Sequence, residues 1–229
     1  MKKLASFLVS CAAALSFVTA APASATILTT PWQSGNFSLA TADGTAQVNF
    51  AGFDTSLGTL LGVTIKYIVN ETLTDTIYNF NSNAVTVGNP NGVSATSTIT
   101  ATGPLGLTTV TQLTTSPLYA GLVDGNGGNP FSTHTITNTV SGIASPVNTL
   151  NGNPATLAAY LGASNTVSIA VNGVGSQSGS LPPNVLNGYS GSANGVVYLQ
   201  YIYDIPEPAS MALFAVGLLA LTQLRRRKS

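Results

Sequence analysis

Between residues 26 and 204 the chain alternates apolar and polar positions in short runs set apart by Gly, Asn, Ser and Pro. A period of two with such punctuation predicts β-strands joined by turns. Phe37 and Leu39 begin one run, and Ala46, Val48 and Phe50 alternate with Thr45, Gln47 and Asn49 in the next. Val63, Ile65, Tyr67 and Val69 form the clearest buried face, with Thr64, Lys66, Ile68 and Asn70 turned mostly outward. Further strands are expected at 77–80, 84–87, 94–101, 107–113 and 134–141, and again around Val167, Ile169 and Val171. The closing strand is expected at 196–203, with Leu199, Tyr201 and Tyr203 on one face. Residues 154–161 alone suggest helix in this region, a turn or two, and the Gly, Ser and Asn-rich stretch 176–195 with Pro182-Pro183 reads as a long loop. About nine or ten strands with irregular connections and no clean repeat predict an all-β domain, an antiparallel β-sandwich of jelly-roll-like or Ig-like form.

Both ends depart from this pattern. Lys2 and Lys3 precede an almost wholly apolar or small run at 4–21, and Ala23-Ser24-Ala25 supplies a small-residue cleavage site, so residues 1–25 read as a signal peptide removed by signal peptidase to leave Thr26 first. Leu8-Val9-Ser10-Cys11 also fits a lipoprotein box, but most of the apolar run follows Cys11 instead of preceding it. At the other end, Pro206-Glu207-Pro208 is followed by an apolar run at 209–224, broken only by Ser210, Thr222 and Gln223, and then by Arg225-Arg226-Arg227-Lys228. As a helix that run is about 24 Å long, short of a hydrocarbon core of about 30 Å unless its polar end snorkels. It is expected to hold the inner membrane transiently, with the basic end inside and everything before Pro206 outside. An ordinary C-terminal anchor would have the same topology, with Pro206 and Pro208 keeping helix out of the linker.

The whole of 205–229 resembles the PEP-CTERM sorting signal of Gram-negative bacteria. The resemblance implies recognition of Pro206, Glu207 and Pro208, with Arg225, Arg226 and Arg227 as the basic stop, by the membrane enzyme exosortase, and transfer to the cell surface or the extracellular space. Phe53-Asp54-Thr55-Ser56-Leu57-Gly58-Thr59-Leu60 is in turn similar to the Phe-Asp-Pro-Ser-Leu-Gly-Thr-Leu motif of the choice-of-anchor E domain, with Thr55 where Pro is usual. Leu157-Ala158-Ala159-Tyr160-Leu161-Gly162 and the closing strand are similar to later parts of that family. This second resemblance implies a secreted β-rich domain and supplies no activity. Read from the residues, 53–60 is a loop in which Asp54 can bond backbone two residues on and Gly58 can take a positive φ.

With both ends removed, one basic residue, Lys66, stands against six acids, a net charge near −5, and no cysteine remains. That argues against nucleic acid as a partner and leaves stability to the core, for which ~180 residues suffice. His134, the sole histidine, lies in an alternating strand, and Gly188-Tyr189-Ser190-Gly191-Ser192 ends in Ser where a nucleophile elbow has Gly. Asp54, Glu71, Asp75 and Asp124 could pair for glycoside cleavage, but solubility accounts for scattered acids more simply. Asp124-Gly125-Asn126-Gly127-Gly128-Asn129 offers oxygen ligands for calcium, yet fails the EF-hand pattern and equally suits a tight turn. Trp32, Phe131 and Tyr189 could stack on sugar rings, Trp32 alternatively packing beneath the first strand. These residues predict a non-catalytic surface or extracellular-matrix protein without cofactor or metal. Binding of extracellular polysaccharide is the alternative, ahead of a calcium-dependent adhesin or a secreted hydrolase. Glycan binding would require an exposed aromatic platform, and an enzyme a concave site with convergent acids.

Overall fold

The computed structural model describes residues 26–41, 43–88, 92–114, 119–178 and 181–205. The expected signal peptide, with Ala23 and Ala25, and the tail with Pro206, Glu207, Pro208 and Arg225 to Arg227 lie outside the described residues. The described chain is all-β. Its strands are β1 (Thr26–Thr29), β2 (Gln33–Leu39), β3 (Asp43–Ala51), β4 (Thr59–Asn79), β5 (Val85–Val87), β6 (Gly92–Thr102), β7 (Thr108–Thr114), β8 (Gly121–Val123), β9 (Ser132–Ala144), β10 (Asn148–Asn151), β11 (Ser164–Ser178) and β12 (Val185–Ile205).

By contact the chain forms a large unit of residues 29–54 and 60–202 and a small one that includes 26–28, 55–59 and 203–205. The large unit has the antiparallel, sandwich-like arrangement. One sheet has six strands, ordered β1-β12-β4-β10 with β2 also on β12 and β9 also on β4, and the other has four, ordered β3-β11-β6-β7. A two-stranded sheet joins β5 to β8. Val63, Ile65, Tyr67 and Val69 on β4 have no exposed surface, and Val167, Ile169 and Val171 on β11 are equally sealed. Two tyrosines secure the interior with polar ends. The Tyr67 hydroxyl donates to the Ile99 carbonyl of β6 at 2.8 Å, and the Tyr201 hydroxyl donates to the Ala51 carbonyl at 2.7 Å while accepting from Asn165 Nδ2 at 2.6 Å. Burial raises the Tyr201 phenol to about 12, and so it remains a donor. A satellite core of Ile77, Val87, Val93, Val123 and Val185 fills the space by β5 and β8.

Several expectations change. The run 77–80 is no separate strand, because the alternation of β4 continues unbroken for 21 residues. The expected loop 176–195 contains the end of β11 and the first half of β12. Gly195 permits close strand approach instead of marking a turn: a Cβ on it would lie 2.2 Å from the Ile68 carbonyl oxygen of β4. The helix expected at 154–161 is a single 3-10 turn, Ala158–Tyr160. Thr64, expected mostly outward, is buried where β10 pairs over it, its hydroxyl 3.1 Å from that of Thr149. The short strands β1, β8 and β10 have no counterpart among the predicted elements.

In the small unit, Gly58 takes φ +148°, as the loop reading of the 53–60 segment expects. A Cβ there would lie 1.9 Å from the Asp204 carbonyl oxygen.

Candidate functional site

Because side chains alternate across a strand, β4 sends 70, 72, 74, 76 and 78 to the outer face of the large sheet. Edge strand β9 pairs with it so that Thr72 faces Thr139, Thr74 faces Thr137 and Thr76 faces Thr135. The facing hydroxyl oxygens are 3.1, 3.3 and 3.4 Å apart. Successive pairs repeat every two residues, about 6.6 Å along the strand. Cross-strand Thr pairs stabilise the ladder, and each hydroxyl keeps further hydrogen-bonding capacity for solvent or ligand. On the other side of β4, Asn70 Nδ2 donates to Asn194 Oδ1 at 3.2 Å and the Phe80 N–H donates to the Asn184 carbonyl at 2.9 Å. These contacts set the alignment that brings Ser192 and Ser190 of β12 beside Thr72 and Thr74. Both serines are exposed.

The ladder ends in an aromatic cluster. The Phe131 ring lies 5.5 Å from Tyr78 in an edge-on arrangement and 5.5 Å from Phe80 in a tilted one. Phe80 is 42% exposed and Phe131 43%. Buried Asn79 holds this end together, its amide donating to the carbonyls of Asn83 at 3.0 Å and Asp124 at 2.8 Å. Asn126 adds a bond to the Phe80 carbonyl at 3.2 Å, and the Ser132 hydroxyl donates to the Asp124 carbonyl. Of the aromatic candidates, Phe131 therefore belongs to an exposed cluster. Tyr189 instead donates to Asp43 at 2.8 Å. Trp32 packs edge-on to Tyr198 at 6.4 Å, with the Lys66 ammonium 4.5 Å from its ring centre.

The polar candidates do not converge. His134 faces inward from β9 beside Ile77 and stacks on Tyr119 at 4.2 Å, part-buried. Ser190 and Ser192 lie on strand β12, facing outward, instead of on an elbow. Asp54 and Asp124 are exposed, whereas Glu71 and Asp75 are 2% and 0% exposed on the inner face of β4 with Leu73 between them. This corrects the expectation that the acids serve solubility. No oxygen of either carboxyl has a hydrogen-bond partner among the described residues. Burial pushes both carboxyls above their ordinary values. The Asp124 loop is a turn, with the Asn129 N–H donating to the Asn126 carbonyl at 2.9 Å and the Gly128 N–H to Asn126 Oδ1 at 3.1 Å. Among the described residues no three His, Cys, Asp or Glu side chains group together to hold a metal. The sequence reading missed the threonine ladder, although its signal, Thr at every second position of 72–76 and 135–139, was visible.

Residues 204–228 match the PEP-CTERM protein-sorting motif. The motif marks an exported chain sorted by exosortase, anchored transiently in the membrane before surface release. Thr26, the expected mature terminus, is exposed at the start of β1. Among the described residues no helix is long and apolar enough to cross a membrane. No curated protein matches the chain. Among solved structures, the STIV MCP is similar at 12% identity and TM-score 0.22, over 79% of this chain and 48% of that one. The VP1 of Trichodysplasia spinulosa-associated polyomavirus, in complex with GM1 oligosaccharide, is similar at 10% identity and TM-score 0.24, over 79% and 97%. The VP2 subviral particle of infectious bursal disease virus follows at 14% identity and TM-score 0.16, over 85% and 50%. The chain thus spans about half the length of the STIV and bursal disease virus proteins.

Proposed function

We propose that this chain is an exported, non-catalytic surface or extracellular-matrix protein. Residues 1–25 serve as its signal peptide, 26–204 as the delivered β-sandwich of choice-of-anchor E type, and 205–229 as the sorting signal. The sorting motif at 204–228 carries this reading, since it gives the chain a route to the surface. A non-catalytic role is supported by the separation of His134 from Ser190 and Ser192 and by the burial of Glu71 and Asp75, which leaves those carboxyls no open face for a substrate. Protein recovered outside the cell should begin at Thr26 and lack 209–229, as read by intact mass. Glu207→Ala should hold unprocessed protein in the inner membrane. An intact C-terminus on the exported protein, or normal trimming of the variant, would overturn the sorting role of the tripeptide.

A further inference from the structure

The outer face of β4 combines features that one class of ligand would use together. At the outward positions of β4 from Asn70 to Tyr78, and at those of β9 and β12 beside them, there is no Asp, Glu, His, Lys or Arg side chain. Lys66, the one basic residue of the mature domain, is occupied between the rings of Trp32 and Tyr198, at 4.5 and 5.4 Å. An anionic polymer finds no counter-charge on this face. A protein partner would call for an apolar centre within a polar rim, whereas here the apolar part is at one end and the centre is hydroxyl-lined. The hydroxyl pairs recur at a constant step along β4, which suits a ligand that itself repeats. The Phe80 and Phe131 rings are exposed and already packed on each other, and the Asn126 amide holds the Phe80 carbonyl, so their order largely precedes binding.

We propose that this face, running from Tyr78, Phe80 and Phe131 along the threonine ladder to Asn70, binds an extended, uncharged polysaccharide. A sugar ring stacks its C–H face on the exposed aromatics, and the hydroxyls of successive sugars exchange hydrogen bonds with the Thr and Ser side chains. The proposal rests on the surface or matrix reading and gives it a ligand class.

The test is affinity electrophoresis of the exported protein through gels containing hydroxyethylcellulose, galactomannan or xylan, with alginate as the anionic comparison. Retardation is expected in at least one neutral gel and not in alginate. Phe131→Ala and Tyr78→Ala should each weaken it by about tenfold. Thr74→Val with Thr137→Val, which keeps shape and removes hydroxyls, should weaken it at unchanged melting temperature. Val174→Ala, an exposed position on the four-stranded sheet, should have no effect. Absence of retardation in every neutral gel, preference for alginate, or indifference to the Phe131 and Thr variants would overturn the proposal. Dimers in sedimentation that Phe131→Ala dissolves would do the same, by assigning the face to a second copy. Export and trimming are read separately by mass, so a correctly trimmed protein that binds no glycan would remove this inference and leave the surface role standing.

Discussion

Ile65 has no exposed surface, while its neighbour Thr64 keeps 6% and a hydroxyl contact to Thr149. Truncating Ile65 to Ala removes buried methyl groups and leaves a cavity, and should cost about 2 to 5 kcal/mol. Thr64→Ala loses one methyl and one hydroxyl contact and should cost about 1 kcal/mol; urea melts of both variants measure the difference, and equal losses would contradict the assigned inward face. The alternation 63–69 made Ile65 legible in the sequence. Burial of Thr64 was not, because it depends on β10, a strand of four residues too short to show a period. The same alternation extends to 79 and placed Glu71 and Asp75 on the inner face, but an acid in a core position reads as a break in the pattern. Their ordinary values of 4.5 and 3.8 are raised by burial. The folded state therefore holds protons that the unfolded chain releases, so stability is complete below those unfolded values and is lost as pH rises through the raised folded ones. Melting temperature should be higher at about pH 4 than at about pH 7, and Glu71→Gln, which cannot ionise, should flatten that slope. Identical melting at both pH values would mean that these carboxyls are paired or hydrated.

Among the elements, the 53–60 turn is the one whose chemistry could be read locally. Asp and Gly at fixed offsets specify a turn without reference to the rest of the chain, and Gly58 at φ +148° fulfils that. Gly58→Ala combines a strained φ with a Cβ 1.9 Å from a carbonyl oxygen and should destabilise the fold by about 2 kcal/mol or more; a thermal melt within a degree of the parent would contradict the close approach. The first half of β12 was illegible for the converse reason. Gly195 is needed by a neighbouring strand distant in sequence, and a single chain read in order cannot distinguish a glycine that turns from one that makes room. The outer face of β4 lay between these cases. Each Thr run was visible, but their union into one ladder depends on the β4–β9 register, which only the fold supplies.

At the scale of the domain, stability rests on packing and hydrogen bonds, since residues 26–205 contain no cysteine. The Asp124 loop spends its backbone and Asn126 on internal bonds, so millimolar calcium should leave the melting temperature unchanged, as should chelation. A rise of several degrees that Asp124→Ala abolishes would assign the loop a cation after all.

Strand β12 combines two positions: it lies inside its sheet, between β4 on one side and β1 and β2 on the other, and it ends at Ile205, the residue before Pro206. If the chain is tethered through its C-terminal end while a ligand pulls on the face of β4, the load travels along β12. Antiparallel ladder bonds lie across the strands, so tension along the strand shears many of them at once instead of opening them one by one. The domain is then attached through a strand suited to carrying force, and the place where sorting acts is also where mechanical load would enter the fold.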